Sequence, residues 1–541
     1  MGSVGYGDVS RGPSGWQKEP TGRQELGLRY HARVRPDAVA IESPWRRLNY
    51  ADLYRRANQL AHAFRSAGIR QGDTIALVLH NRPEWLEAMQ AVGKLGARVV
   101  PVGYRAKAPE IAYLLRDADA RLIIAENALQ EELDAALTAA GLANAITLWV
   151  VGEEPPWRGE SYEEQIAAQP DHEAEDFFPG GGFDVLVYTS GTTGRPKGVE
   201  RVIDPAQSPR QLAAVADMWQ LTQNDVHLVC GPLYHTAPAS YAQAHLLVGA
   251  SVVLLPRFDA VAALEAIARY RVTTTFMVPT HFVRLLQVPE ETRQQYDLSS
   301  IRLVLHAAAP CPIEVKRSIM ELFPPHSVVE FYGASETGFT RVTAEEWLKK
   351  PGSVGKPWPG HELRILDEEG RECAPGEVGL VYVRSPQMNF AYRHAPEKNT
   401  QAFRDGWFTA GDLGYLDEDG YLFLVDRRTD LILSGGANVY PAEVEQTLLL
   451  HPSVADAAVV GVPDKDLGRR VVAVVELRPE HSLSECELIE FARSRLAHYK
   501  CPRQVIFVAE LPREPTGKIR RHELASWVCQ ELGALPSSNS G

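Results

Sequence analysis

The segment Tyr188–Val199 (YTSGTTGRPKGV) constrains the fold and chemistry of this chain more than any other segment. It follows Asp184–Val187, a short apolar and β-branched run that predicts a buried strand. Glycines let a backbone approach a ligand closely, and successive N–H groups in such a loop form a concave anion site. Because hydroxyls and the cations Arg195 and Lys197 accompany the glycines, the segment predicts a polyphosphate-binding loop.

This loop differs from the Walker A type of phosphate loop. A Walker A lysine is followed directly by Ser or Thr, whereas Gly198 follows Lys197 here. Pro196 also argues against a helix that would begin here and hold the phosphates at its N-terminus. A Gly- and Thr-rich surface turn is the alternative interpretation.

Composition limits the classes of partner. A chain of 541 residues is expected to divide into two or more domains. The net charge of −13 argues against nucleic acid or an anionic membrane as the main partner. Six scattered cysteines without CxxC spacing favour free thiols in a reducing compartment over disulfides or zinc sites. With no signal peptide and no apolar run near the ~18 residues of a membrane span, we expect a cytoplasmic protein without an integral membrane segment.

Strand and helix patterns alternate through the first part of the chain, which indicates parallel sheets covered by helices on both faces. Asn49 followed by Asp52 predicts a helix start, and Ser484 followed by Glu487 predicts a second one. Residues 153–182 are acidic and contain Pro and Gly, so they are interpreted as a connector. The early strand patterns lie at 74–79, 97–101 and 121–124.

Four further segments follow the phosphate loop in order. They are Leu228–Pro238 (LVCGPLYHTAP), Phe331–Gly338 (FYGASETG), Trp407–Tyr415 (WFTAGDLGY) and Ser434–Glu445 (SGGANVYPAEVE), and PTGK at 515–518 closes the series. Together with the loop they resemble the signature motifs of the adenylate-forming superfamily, which comprises acyl- and aryl-CoA synthetases, peptide-synthetase adenylation domains and firefly-type luciferases. The resemblance covers about residues 25 to 530.

The resemblance implies an α/β fold in two domains. A large N-terminal domain of β/α sheets plus a small barrel is expected at 25–426, and a small mobile C-terminal α+β domain at 433–530. The hinge is expected at 427–432, around Thr429, where the family commonly has Lys or Asp. Mobile tails are expected at 1–24 and 531–541.

The resemblance also assigns the nucleotide site. ATP would be held by the phosphate loop, by the wall after a predicted strand near 301–305, by the FYGASETG segment, by a ribose ligand and by two cations. These residues are Thr189, Ser190, Gly191, Thr192, Thr193, Gly194, Lys197, Ala308, Ala309, Pro310, Tyr332, Gly333, Ser335, Glu336, Thr337, Asp412, Arg427 and Lys518. Alanine stands at 307–309 where the family often has glycine.

Within this set the resemblance gives particular roles. Tyr332 would stack on adenine, Asp412 would accept from the ribose hydroxyls, and Arg427 would contact ribose and the α-phosphate. Glu336 would hold Mg²⁺, a hard cation usually bound by one or two carboxylates plus substrate phosphates. Lys518, with Glu336 and Thr192, would be catalytic in adenylation.

The acid and thiol sites follow from the same resemblance. The wall of the acid pocket would include Tyr234, His235, Ala237, Ala307 and Gly333. No acidic residue occurs at 226–258, and a buried ammonium group would need one, so we expect an acid that is apolar beyond its carboxylate. Gly435, Gly436 and Ala437 would lie against the pantetheine arm of CoA. His235 is equally compatible with a core histidine.

The resulting hypothesis is an ATP-, Mg²⁺- and CoA-dependent acyl-CoA synthetase that activates a hydrophobic acid, a fatty acid in the first place and an aryl acid as the second option, through an acyl adenylate. A ligase that loads the acyl group onto a carrier protein and a catalytically inactive nucleotide-binding regulator remain alternatives. The sequence leaves open which acid is used and whether the protein is a monomer or a homodimer.

Overall fold

The computed structural model describes residues 26–178, 184–189, 196–201, 208–334, 338–385, 388–428, 430–514 and 518–532. Most helices of these ranges are given below with the sheet that they cover. The others are Ser208–Met218, Glu290–Arg293, Ala344–Lys349 and Pro396–Ala402, and a 3-10 turn lies at Asn127–Leu129. None of the described helices is both long and apolar enough to span a bilayer.

The largest sheet of the described chain has nine strands, and its six central strands run parallel. In order across the sheet they are Lys356–Pro357, Gly338–Val342, Val328–Gly333, Leu303–His306, Thr274–Met277, Val226–Val229, Ser251–Leu254, Val39–Glu42 and Arg47–Asn49. The helices that connect its parallel strands are Thr236–Val248, Ala260–Tyr270, Pro279–Gln287 and Ile313–Leu322.

A second sheet of six described strands is entirely parallel. In order its strands are Glu160–Ser161, Thr147–Val151, Ala120–Glu126, Thr74–Val78, Arg98–Pro101 and Asp184–Val185. Its helices, with the N-terminal helix, are Leu28–Val34, Tyr50–Ser66, Pro83–Leu95, Ala108–Asp117, Gln130–Ala140 and Tyr162–Ala167. The helices Tyr50–Ser66 and Pro83–Leu95 share one hydrophobic core with both the nine-stranded and the six-stranded parallel sheet.

The connector expected at 153–182 is only partly correct. It contains the edge strand Glu160–Ser161 and the helix Tyr162–Ala167. The hydroxyl of Ser161 accepts the Glu164 N–H at 3.5 Å, and Tyr162 and Ile166 are buried. The two buried side chains and the Ser161 cap stabilise this short helix, which the acidic composition of the segment did not indicate.

The strand expected at Asp184–Val187 divides into two. Asp184–Val185 joins the parallel sheet, whereas Val187–Thr189 pairs with Lys197–Arg201 in a small antiparallel sheet that also contains Phe390–Tyr392. The break falls at buried Leu186, whose N–H donates to the Val99 carbonyl at 2.8 Å. The expectation of a single strand was therefore wrong, since apolar character alone does not specify a sheet partner.

The last part of the large domain is an antiparallel sheet of six described strands, in the place of the expected small barrel. The strands are Glu362–Leu366, Gly379–Arg384, Phe403–Arg404, Trp407–Phe408, Asp412–Leu416 and Leu422–Arg427. The small domain has a five-stranded sheet with its own cores. Its strands and helices are Ile432–Ser434, Ala437–Val439, Val454–Asp464, Gly468–Leu477, Gln504–Val508, Pro441–Leu449, Glu485–Arg493 and Arg521–Glu531. The expected α/β class, with a large N-terminal and a small C-terminal domain, is confirmed.

Candidate active site

A cleft of about 3060 Å³ lies between the large and the small domain. It brings together most of the sequence-predicted site residues that the structure describes. These are Tyr234, His235, Ala237, Ala307, Ala308, Ala309, Pro310, Tyr332, Gly333, Asp412, Arg427 and Lys518. The predicted acid and nucleotide residues therefore share one cavity.

One wall of the cleft is the carboxyl edge of the nine-stranded sheet. Leu303–His306 and Val328–Gly333 are adjacent parallel strands, and Ala307–Pro310 directly follows the first of them. Open α/β sheets bind ligands at this edge. Ala308 has a φ of 77°, in the left-handed region that favours glycine, so this turn is held in a strained conformation.

Asp412 joins two of the predicted nucleotide residues. Its Oδ2 accepts the Tyr332 hydroxyl at 2.6 Å, and its Oδ1 accepts Nε–H of Arg427 at 3.0 Å. Asp412 and Arg427 face each other in antiparallel register, which fixes their pairing through the backbone. The Asp412 carboxylate raises the pKa of the Arg427 guanidinium, burial lowers it, and nearby Asp430 raises it further. The net result is a raised pKa.

The chemistry of this group suits a nucleotide. A carboxylate offers about four lone-pair positions, so Asp412 can accept further hydrogen bonds from a diol. Arg427 adds a permanent positive charge and a planar donor set suited to a phosphate. Both side chains line the cleft.

Lys518 enters the cleft from the small domain. The Glu514 N–H donates to the Lys518 carbonyl at 2.8 Å, and Arg513 and Ile519 form a β-bridge. Nε–H of Arg520 donates to the Glu514 carboxylate at 2.7 Å, which links a residue after Lys518 to one before it. These contacts join the described residues on the two sides of 515–517 and position the backbone of Lys518.

His235 is close enough to Lys518 for the lysine charge to affect its pKa. Burial, with a smaller contribution from the Lys518 charge, lowers the pKa of His235 to about 3, so this imidazole is neutral at pH 7. Its Nε2 is buried and has no hydrogen-bond partner among the described residues. In this domain arrangement, Lys518 therefore faces the predicted acid-pocket wall.

The phosphate loop and several other predicted positions fall outside the described residues. They are Ser190, Gly191, Thr192, Thr193, Gly194, Ser335, Glu336, Thr337 and Thr429. The base of the loop is described: Lys197 pairs with Thr189 in a hairpin. A strand leaves the loop, in agreement with the argument from Pro196 against a helix.

Two tyrosines anchor this hairpin beside the cleft. The Tyr188 hydroxyl donates to the Asp117 carboxylate at 2.6 Å, and the Tyr113 hydroxyl donates to the Pro196 carbonyl at 2.9 Å. Both bonds attach the hairpin to the region of the helix Ala108–Asp117. The predicted phosphate loop therefore extends from a fixed base.

The predicted CoA residues do not line the cleft in this domain arrangement. Gly435 and Gly436 form the turn before Ala437 in the small sheet, with φ values of 58° and 79°. The Gly435 N–H donates to the Leu467 carbonyl at 2.8 Å. A Cβ at Gly436 would meet no described atom within 4 Å, so space is open beside this turn.

The sequence interpretation missed a set of aromatic residues in the cleft. They are Trp219, Tyr241, Phe276, Phe331 and Trp358. They come from five separate segments. One local signal could have indicated part of the set: in the strand Val328–Gly333, alternation places Phe331 and Tyr332 on opposite faces.

Comparisons with known proteins identify the family. Residues 28–392 match the family of AMP-binding enzymes, and residues 443–518 match the AMP-binding enzyme C-terminal domain. An indoleacetate–CoA ligase of Aromatoleum aromaticum is 34% identical over 93% of this chain and 97% of its own. A 2-succinylbenzoate–CoA ligase of Geobacillus kaustophilus is 36% identical over 92% of this chain and 96% of its own.

A solved structure has the same fold over nearly the whole chain. The anthranilate CoA ligase in complex with anthranoyl-AMP superimposes with a TM-score of 0.82 at 30% identity, covering 93% of this chain and 97% of that one. The family match exceeds half of the chain, and these relatives align over almost their full length. The chain therefore belongs to the family of AMP-binding enzymes, in the acyl-CoA synthetase branch of the adenylate-forming superfamily.

Proposed function

We propose that this enzyme joins a hydrophobic carboxylic acid to CoA through an acyl adenylate, with release of pyrophosphate and AMP. The observation that carries this proposal is the meeting of Lys518, Arg427 and Asp412 in one cleft with an apolar wall. Lys518 comes from the small domain and the other two come from the large one. The indoleacetate, succinylbenzoate and anthranilate ligases take acids that carry a ring, which supports an aryl acid over a fatty acid.

In the first step, the acid carboxylate attacks the α-phosphorus of ATP. Arg427 and Lys518 supply positive charge where charge develops on the phosphate oxygens, and such preorganised contacts usually make the largest contribution to rate. Asp412 orients the ribose, and Tyr332 orients Asp412. Glu336 and the loop residues Ser190–Gly194 would hold Mg²⁺ and the outer phosphates, and the metal would neutralise phosphate charge when bound.

In the second step, the CoA thiol attacks the acyl carbonyl and AMP leaves. We propose that the small domain turns about residues 427–432, so that Lys518 withdraws and the Gly435–Gly436 turn approaches the cleft. The open space at Gly436 supports this assignment, because a narrow thiol arm needs a wall without side chains. Domain rotation of this kind needs only a few residues that absorb the change in φ and ψ.

The direct test measures pyrophosphate release and thioester formation separately with purified protein. We expect pyrophosphate with ATP, Mg²⁺ and a hydrophobic acid, and a thioester only when CoA is added. A thioester on a phosphopantetheinylated carrier protein but not on CoA would replace this proposal with the carrier-protein alternative. Absence of pyrophosphate with every acid of a broad panel would contradict adenylation itself.

A further inference from the structure

Arg393 lies beside the hairpin that carries the predicted phosphate loop. It directly follows the strand Phe390–Tyr392, which pairs antiparallel with the hairpin strand Lys197–Arg201. The Arg393 N–H donates to the Gly198 carbonyl at 2.8 Å and so continues this pairing toward Lys197. The backbone of Arg393 is therefore fixed close to the point where the predicted loop enters the strand.

The side chain of Arg393 holds three groups at once. Its terminal nitrogens donate to the Glu200 carboxylate at 3.1 Å and to the Asp119 carboxylate at 2.6 Å. Its Nε–H donates to the Asp117 carbonyl at 2.9 Å. Only 16% of the side chain is exposed. A planar guanidinium has donors in several fixed directions, which suits such a junction better than a single ammonium group would.

These partners belong to different parts of the large domain. Glu200 lies in the hairpin, whereas Asp117 ends the helix Ala108–Asp117 beside the six-stranded parallel sheet. The first hairpin strand reaches the same residue, because the Tyr188 hydroxyl donates to the Asp117 carboxylate. Asp117 thus attaches both strands of the hairpin, one directly and the other through Arg393.

A second arginine shares the Glu200 carboxylate. Arg98 donates to Glu200 at 2.9 Å and to Asp184 at 2.6 Å, and both Arg98 and Asp184 lie in strands of the parallel sheet. The charges therefore alternate in sign from Asp184 through Arg98 and Glu200 to Arg393. Charge-assisted hydrogen bonds of this kind are short and directional, so the row connects the hairpin to the sheet in one geometry.

The charged side chains of this row do not line the cleft, whereas Tyr188 and Pro196, which flank the predicted loop, do. Arg393 can therefore act on a substrate only through the hairpin that it holds. We propose that Arg393 is a positioning residue for adenylation, because it fixes the base of the loop that we assign to the outer phosphates of ATP. This inference rests on the proposed function, since that assignment belongs to it.

The role should appear in one half-reaction only. ATP and pyrophosphate carry the outer phosphates that the loop would hold, whereas an acyl adenylate retains only the α-phosphate. A displacement of about 1 Å in a positioned group can cost about a hundredfold in rate, so loss of the Arg393 contacts should slow adenylation about ten- to a hundredfold. Thioester formation from synthetic acyl-AMP and CoA should stay near the parent rate.

Arg393→Met in the full-length protein tests this expectation, because it keeps an unbranched side chain and removes every donor. Pyrophosphate release gives kcat/KM for ATP with the acid of the broad panel that the parent uses best. The adenylate of that acid, supplied with CoA, reports the second step. Arg393→Lys restores the charge without the planar set of donors, so its kcat/KM for ATP should lie between those of the parent and of Arg393→Met.

Two partners of the same guanidinium give a matched pair of variants, which also carries the test where Arg393→Met fails to fold. Glu200→Gln weakens the attachment of the hairpin and should lower kcat/KM for ATP about tenfold while sparing the second step. Asp119→Asn removes a carboxylate that is 80% exposed and lies outside the hairpin, so it should retain the parent value within about twofold.

The outcomes separate this inference from the proposed function. Parent values of kcat/KM for ATP in both Arg393→Met and Glu200→Gln would overturn the inference and leave the ligase function intact. Equal loss of both half-reactions in a variant with the parent melting temperature would also overturn it, because a general structural defect affects every step. Absence of pyrophosphate from the parent with every acid of the panel would instead contradict the ligase function on which the inference rests.

Discussion

Tyr332 and Asp412 are joined by a hydrogen bond of 2.6 Å between residues of two different sheets. Tyr332 lies near the end of a strand of the nine-stranded sheet, and Asp412 begins a strand of the antiparallel six-stranded sheet. The bond therefore fixes the distance between two walls of the proposed nucleotide site. It also places the phenol ring beside the carboxylate that we assign to ribose.

Tyr332→Phe tests this bond, because it keeps the ring and removes only the donor. Hydrogen bonds to charged groups contribute about 1.5–3 kcal/mol, so KM for ATP should rise at least about tenfold. The KM for the acid should change less than about twofold, since Tyr332 and Asp412 are proposed to act on the ribose and not on the acid. Steady-state kinetics with each substrate varied in turn gives both values.

Tyr415→Phe is the control for that experiment. Tyr415 lies in the same strand as Asp412 and stacks on Phe423 at 5.1 Å, but it does not line the cleft. Its variant should retain the parent KM for ATP. A Tyr332→Phe enzyme with the parent KM for ATP would show that Asp412 needs no orientation by Tyr332.

A second prediction concerns stability in acid. His245 is buried, stacks on His227 at 4.1 Å and contacts Thr274 Oγ1 at 2.8 Å. Burial lowers the pKa of His245 to about 4, whereas an unfolded chain returns it to 6.5. The unfolded state therefore binds the proton first as the pH falls. The stability due to the neutral imidazole is full above pH 6.5 and is lost progressively between 6.5 and about 4.

The size of this effect follows from the same pKa values. Between pH 7 and pH 5, His245 should contribute about 2 kcal/mol to the fall in the free energy of unfolding. Burial raises the pKa of Asp426 to about 6, which acts in the opposite sense, so the parent profile alone is not diagnostic. Urea unfolding of the parent and of His245→Gln at both pH values isolates the difference. Parallel profiles would contradict the assignment.

Local signals in the sequence predicted much of this fold because they act within a few residues. Asn49 accepts the Asp52 N–H at 2.7 Å, and Ser484 accepts the Glu487 N–H while bonding the Glu487 carboxylate, as expected from the capping patterns. The break at Leu186 was not predictable in this way, because it depends on which strand lies beside it. Sheet partners are chosen by tertiary packing.

The aromatic set in the cleft lay beyond sequence reasoning for a related reason. Its rings come from five segments between Trp219 and Trp358, and each ring alone is typical of an ordinary core residue. Only the register of parallel strands, such as Phe276 beside Leu305 and Leu305 beside Val329, places them on one face. The ordered motifs led to the proposed nucleotide residues, whereas the aromatic set in the cleft could be found only from the fold.

A third prediction separates the two half-reactions through Lys518. Loss of one charge-assisted contact in a preorganised site costs about 100- to 1,000-fold in rate, so Lys518→Ala should nearly abolish acyl-adenylate formation. Given synthetic acyl-AMP and CoA, the same variant should form the thioester near the parent rate. Gly436→Trp should show the reverse pattern by filling the space beside its turn.

Lys465→Ala provides the matched control, because Lys465 is an exposed lysine of the small domain that does not line the cleft. It should retain both half-reactions. Equal loss of both half-reactions in folded Lys518→Ala would contradict the proposal of two domain orientations.

The last prediction concerns an ion pair that crosses between the domains. Arg520, two residues after Lys518, lies 3.7 Å from Glu110 of the large domain and 3.1 Å from Glu523 in the following helix. Partly exposed pairs contribute about 0.2–1 kcal/mol, so Glu110→Gln should slow adenylation by at most about fivefold. Thioester formation from synthetic acyl-AMP should be unchanged or faster, since the proposed domain rotation would break this contact. Glu523→Gln removes a carboxylate that pairs with the same arginine within the small domain, so it should alter neither step. Identical behaviour of the two variants would show that the contact does not hold the domains in the orientation that presents Lys518.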